Sequence, residues 1–147
     1  MKKQSIVLVT ALVSCLLTAA TAWCGDNGNG TITINGLVWL KDASCLGKTG
    51  WSGASSTAQN LSAANAPTTC NLKDGSTAGQ WRLPTFAELS SVSGYASNQF
   101  SNAQYADYWS SSASILSGYY SVISLKTATV SAAPGSSPNY FLVVRNQ

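Results

Sequence analysis

The 147-residue chain carries five carboxylates and no histidine, and that inventory bounds the chemistry it can support. Without imidazole, the commonest general base and the commonest metal ligand are both missing, so a Ser-His-Asp or Cys-His enzyme is excluded. Paired carboxylates, as in glycoside hydrolysis, are the remaining option. Asp42, Asp74 and Asp107, however, sit in turn-like contexts where aspartate serves the backbone. Glu88 falls three residues after Thr85, the spacing of a capping box, with Arg82 close enough in sequence to pair with it. The expectation is a protein that is not an enzyme and needs no cofactor. Asp26-Asn27-Gly28-Asn29-Gly30-Thr31-Ile32 has the outline of a calcium loop, in which Gly holds the sixth position and carboxylates the first and twelfth. Aligning Gly30 at the sixth puts Gly25 and Gly36 at those two places, so the segment reads as a turn.

The aromatic residues are the other candidates for function. Trp39, Trp81 and Trp109 lie in apolar or strand-like runs and are expected in the core. Trp51, Tyr95, Tyr105, Tyr119, Tyr120 and Tyr140 are less committed, with Ser, Asn and Gly around them. Tyrosine in that company makes a recognition surface at low entropic cost, or ordinary cover for a sheet, and the sequence leaves both readings open. If it is recognition, the ligand-binding set is Tyr105, Tyr119, Tyr120, Asn139 and Tyr140, on loops over roughly 98–117 and 133–140.

The N-terminus sets the compartment in which any of this acts. Met1-Lys2-Lys3 gives a basic start, Ile6 to Ala20 is uncharged and mostly apolar, and Ala20-Thr21-Ala22 supplies small residues for cleavage. Residues 1–22 therefore read as a secretory signal peptide, leaving 23–147 as one exported domain: secreted, periplasmic or at the cell surface. A lipoprotein is the alternative, through Leu12-Val13-Ser14-Cys15, although cutting there leaves an apolar remnant, Leu16 to Trp23. Residues 23–147 hold six basic side chains (Lys41, Lys48, Lys73, Arg82, Lys126, Arg145) against five acidic, a net charge of +1 where the whole chain has +3. The cations are scattered, so nucleic acid is not an expected partner. Cys24, Cys45 and Cys70 remain in that segment, enough for one intramolecular bridge. The expected pair is Cys45 with Cys70, whose closed loop of about 25 residues contributes on the order of 3 kcal/mol. Cys24 is then left for a free thiol or for self-association.

These residues need a scaffold, and the sequence outlines an α+β one. Thr31 to Ile34 alternates like a strand, Asn35-Gly36 is a hairpin turn, and Leu37 to Leu40 returns apolar on both faces. Ala54, Ala58 and Leu61 fall at helical spacing in a stretch from Trp51 to Ala66 that Pro67 ends. Trp81-Arg82-Leu83-Pro84-Thr85 leads into a second helix expected to start at Phe86. Residues 98–107 look like loop and Tyr108 to Ser112 follows it; Tyr119 to Leu125 and Thr127 to Ala132 look like two strands joined around Lys126. Tyr140 to Val144 reads as a final buried strand.

Taken in order, Asp26 to Thr33, Gly36 to Ala43, Cys45, Cys70, Asp74-Gly75-Ser76, Trp81 to Thr85, Glu88-Leu89, Tyr108 to Ser111 and Val144-Arg145 form a combined signature. In this the chain resembles the Lcl C-terminal domain family, named for the C-terminal module of a collagen-like bacterial adhesin. The resemblance spans about residues 26 to 145. It implies a C-type-lectin-like fold with paired N- and C-terminal strands, two flanking helices, a mixed or antiparallel sheet and long binding loops. Under it Trp39, Trp81, Arg82, Pro84, Thr85, Glu88 and Trp109 are structural. The implied function is an exported binding or adhesion module for an extracellular glycan or protein; a structural or assembly role at the cell surface is the alternative. The named adhesin binds sulfated glycosaminoglycans as a trimer, whereas this sequence has neither a collagen-like repeat nor a basic cluster. Sulfatase-activating enzymes share the fold and a similar Arg-Leu-Pro-Thr helix start, but their catalytic cysteine pair has no evident counterpart here.

Overall fold

The computed structural model describes residues 25–147. The leader over residues 1–22, the lipidation alternative at Cys15 and the spare thiol of Cys24 lie outside the described residues. In chain order the elements are β1 (Gly25–Asp26), β2 (Thr31–Ile34), β3 (Leu37–Leu40), β4 (Lys48–Thr49), α1 (Trp51–Asn60), α2 (Phe86–Ser91), β5 (Asp107–Ala113), β6 (Tyr119–Ser124), β7 (Val130–Pro134), β8 (Asn139–Phe141) and β9 (Val144–Asn146). Short 3₁₀ turns cover Thr68–Cys70 and Gly94–Gln99. This is an α+β chain with two sheets, ordered β1-β2-β3-β9 and β4-β8-β5-β6-β7. Every strand pair is antiparallel except β5 with β8.

Local chemistry explains the junctions. Asn35 and Gly36 both take positive φ, 54° and 77°, as the tight turn between β2 and β3 requires. The C-terminal strand β9 then pairs with β3, closing the chain on its N-terminal hairpin. At the start of α2, the Glu88 amide donates to the Thr85 hydroxyl at 3.2 Å and the Thr85 amide donates to the Glu88 carboxylate at 2.8 Å, a complete capping box. Cys45 and Cys70 are joined by a disulfide that ties the loop after β3 to the loop before Trp81.

The core has two halves, because strands alternate their faces. Trp109, Val122, Phe141 and Val143 pack with Ala54 and Ala58 of α1, whereas Tyr108, Ile123, Leu142 and Val144 pack with Leu89 and Val92. Trp39, Trp81 and Trp109 are almost wholly buried. Their indole N–H groups donate to the Ile34 carbonyl, the Ser76 hydroxyl and the Thr49 carbonyl respectively, so none costs an unpaired donor.

Four boundaries differ from expectation, the first being the strand expected at 127–132, which runs instead over Val130–Pro134 because Ala128 takes a positive φ of 59° in the turn after β6. Helix α1 stops at Asn60, not Ala66, because the Asn65 side chain folds back: its Oδ1 accepts from the Ser62 amide and its Nδ2 donates to the Asn60 carbonyl, both at 2.8 Å. The strand expected at 140–144 divides into β8 and β9 in different sheets, since Phe141 to Val144 are buried on alternate faces as the chain crosses from one sheet to the other. The expected binding loop at 98–117 is interrupted by the seven residues of β5.

Candidate functional site

The chain brings residues far apart in sequence to one end of the five-stranded sheet. Helix α1 begins there at Trp51, whose amide donates to the Gly135 carbonyl at 2.8 Å, and Gly135 in turn donates to the Gly118 carbonyl at 2.9 Å. Helix start, β5–β6 hairpin tip and the loop before β8 are thereby fastened together. Gly50 is required at this junction, since a Cβ on it would lie 2.8 Å from the Gly135 carbonyl oxygen. Trp51 lies face to face with Tyr120, ring centroids 3.8 Å apart and planes 9° apart, and its Nε1 donates to the Ser110 carbonyl at 2.9 Å. Tyr120 meets Trp109 edge-on at 6.3 Å. The indole is held twice, by its stack on Tyr120 and by its bond to Ser110.

Beside Trp51 opens a cleft of about 340 Å³. Ser55 and Gln59 of α1 form one wall; Arg82, Leu83 and Thr85, with Ser111 of β5, form the other. The Ser111 amide donates to the Pro84 carbonyl at 2.7 Å and the Phe86 amide to the Ser112 hydroxyl at 3.1 Å, which fixes the second wall to the sheet. Arg82 forks onto Glu88, Nη1 to Oε2 at 2.7 Å and Nη2 to Oε1 at 2.8 Å, and Nη1 also donates to the Leu83 carbonyl at 3.2 Å. Of the five guanidinium N–H groups, Nε–H and one on Nη2 are left without a protein acceptor. The hydrogen bond from Arg82 is the main reason the Glu88 carboxyl is held down at about 2, and the same bond raises the Arg82 guanidinium. The cleft is thus one aromatic face among hydroxyls, an amide and a charge already neutralised by its partner.

The five aromatic and amide residues singled out from sequence do not form one surface. Tyr119, Tyr120 and Asn139 lie at this end: Tyr119 is opposite Pro134, Tyr120 is stacked under Trp51, and Asn139 is opposite Thr49 with a buried Nδ2 that has no hydrogen-bond partner. Tyr140 points to the other face of the sheet, stacked on Tyr108 at 5.4 Å with Lys48 Nζ 4.7 Å above its ring. Tyr108 itself is buried, which pushes its hydroxyl up to about 12. Tyr105 is 82% exposed but precedes β5, whose length puts it roughly 20 Å from the hairpin tip. Ser55 and Gln59 carry no signal in sequence, and Ser111 appears there only within the Tyr108 to Ser111 signature, not as a site residue. Trp51 was visible only as an uncommitted aromatic after a glycine.

The sequence profile of the Lcl C-terminal domain matches residues 31–145, from the first residue of β2 into β9. The chain belongs to the Lcl C-terminal domain family. No curated protein matches the chain. Within this Lcl C-terminal domain, the Trp81-Arg82-Leu83-Pro84-Thr85 segment supplies part of one cleft wall, and the Tyr108-Trp109-Ser110-Ser111 segment supplies Ser111 and the carbonyl that holds Trp51.

Proposed function

We propose that this protein is an exported, non-catalytic binding module that takes an uncharged glycan in the Trp51 cleft. The observation that carries the reading is the indole of Trp51, stacked on Tyr120, bonded to the Ser110 carbonyl and bordered by Ser55, Gln59, Ser111 and Arg82. Sugar rings present apolar C–H faces and equatorial hydroxyls, and a fixed aromatic plate among neutral donors and acceptors suits both at small entropic cost. A sulfated ligand finds less there, because Glu88 already neutralises Arg82.

The non-catalytic reading rests on where the acids are. Among the described residues Asp26 pairs with Lys41, Asp74 with Arg145 and Glu88 with Arg82, while Asp42 accepts from Ser44, Cys45 and Asn102. No carboxylate lines the cleft. Cys45 and Cys70 are bonded to each other, so neither offers the thiol that a sulfatase-activating chemistry would need. Export is supported by the leader-like residues 1–22 and by that same disulfide. A C-type-lectin-like description fits the closure of β9 on β3 and the two helices on opposite faces, with the site at one end.

A glycan and matrix-protein array probed with the purified protein, each hit repeated at rising salt, tests this. Salt-insensitive hits on neutral glycans support the reading; hits only on sulfated chains, lost as salt rises, overturn it.

A further inference from the structure

Strand β7, Val130-Ser131-Ala132-Ala133-Pro134, is an edge of the five-stranded sheet, pairing among the described residues with β6 alone. Its bonding pattern can be read from the two ends of the pair. The Ser124 amide donates to the Thr129 carbonyl at 2.8 Å, and the Gly135 amide to the Gly118 carbonyl at 2.9 Å. In the register of Ser121 with Ala132, hydrogen-bonded pairs alternate with open ones, so Ser131 and Ala133 bond to β6. Val130, Ala132 and Pro134 therefore turn their backbone groups outward, and proline has no N–H to offer. The edge presents two free amides, at Val130 and Ala132.

Protein edges are ordinarily blunted by charge, proline, short length, bulges or cover, and in this five-residue strand the one proline, Pro134, stands at the last position. This one has no charged residue between Lys126 and Arg145, its register with β6 is regular, and its five residues are exposed or partly so. Val130 is 54% exposed.

The geometry points to a second copy of this chain as the occupant, its β7 antiparallel to the first about a two-fold axis at Ser131. That centre places Val130 opposite Ala132 of the other copy, so both outward amides of each strand find outward carbonyls. Centring one residue later sets Val130 against Pro134, which has no amide to return. Centring one earlier opposes Ala132 to Ala128, which leaves extended backbone at φ 59°. In the Ser131 register each Lys126 lies at a far end, opposite Ser136, so the two cations stay apart.

The exposed apolar side chains agree with this occupant. Leu116, 55% exposed, lies in the hairpin tip beside the Pro134 end of β7, where its carbonyl accepts from Tyr119. Tyr95, 69% exposed, follows Gly94, whose amide donates to the Leu125 carbonyl at 2.8 Å and where an added Cβ would lie 3.5 Å from the Ala128 methyl, at the Val130 end. Two-fold pairing brings the Leu116 end of one copy to the Tyr95 end of the other, at both ends at once. The pairing extends the sheet from five strands to ten through β7, none of whose residues lines the Trp51 cleft, so it stands apart from the glycan reading.

Sedimentation velocity of the protein carrying Cys24→Ser, so that no bridge at that position contributes, tests the inference across its soluble concentration range. The expected result is a concentration-dependent dimer that is lost with Ser131→Lys, where two lysines meet at the axis, and with Ala132→Pro, which removes an outward amide while leaving the β6 ladder intact. Mixing Ser131→Lys with Ser131→Glu is expected to restore the dimer, and this pair decides the matter even if Ala132→Pro disturbs folding. A protein monomeric throughout, or a dimer indifferent to both Ser131 variants, overturns the proposal.

Discussion

Trp51 and Tyr120 lie 3.8 Å apart with their planes 9° from parallel, and that contact joins the first residue of α1 to the second residue of β6. It fastens the fold and backs the indole that lines the cleft. Removing the ring in Tyr120→Ala is expected to cost roughly 3 kcal/mol in urea unfolding, from lost packing against Trp51 and Trp109. Tyr120→Phe keeps the stack, and among the described residues its hydroxyl makes no hydrogen bond, so near wild-type stability and binding are expected. A large loss in the phenylalanine variant would show that the stack is not what matters.

The Arg82–Glu88 pair predicts an acid-sensitive step. Glu88 is held at about 2 against an ordinary 4.5, so the unfolded chain takes up the proton first. Its stabilisation is complete above about pH 5 and falls away as pH drops from about 4.5 towards 2. The pair is partly exposed, so solvent screening limits the effect to about 1 kcal/mol. Glu88→Gln is expected to lower stability near neutral pH by about that amount and to flatten the stability profile below pH 5, measured by thermal unfolding. Asp26 and Asp74, both also shifted down, leave a residual acid slope in the variant. For Asp26 the chief cause is the hydrogen bond from Lys41; for Asp74 burial opposes ionisation, and hydrogen bonds from Ser76 and Arg145 outweigh it.

These local devices were legible in the sequence because each is contained in a few residues. Asn35-Gly36 states its own turn, and Thr85 with Glu88 states its own helix start. The split of the last strand was not legible, since Phe141 to Val144 are apolar at every position and a fully buried run carries no period. The cleft was hidden for a different reason. It joins residue 51 to residues 82 and 111, and Ser111 is marked only by the Pro84 carbonyl it meets in space. The tyrosines that looked like a recognition set were split by β5 and by the two faces of β8.

The disulfide closes a loop across a sequence separation of 25 residues. Replacing both cysteines, Cys45→Ser with Cys70→Ser, is expected to lower unfolding free energy by about 3 kcal/mol through the freer unfolded chain. Binding at temperatures where the variant is still folded should persist, because neither residue lines the Trp51 cleft. Loss of binding in a folded variant would contradict the non-catalytic, non-thiol account.

Gly30 should tolerate no side chain. Its φ is 84°, and a Cβ there would sit 2.2 Å from the Asn71 carbonyl oxygen. Gly30→Ala is therefore expected to destabilise by well over 1 kcal/mol. A melting temperature equal to wild type would show that the Asn71 loop moves freely.

The central claim is that an uncharged glycan occupies the cleft beside Trp51, and titration calorimetry tests it most directly. Neutral oligosaccharides identified on the array are titrated into the wild-type protein and into Ser111→Trp, which fills the cleft from an exposed strand position without touching the core. The account predicts binding to the wild type that is unchanged between low and moderate salt, and none to Ser111→Trp at equal thermal stability. Undiminished binding to Ser111→Trp would contradict it.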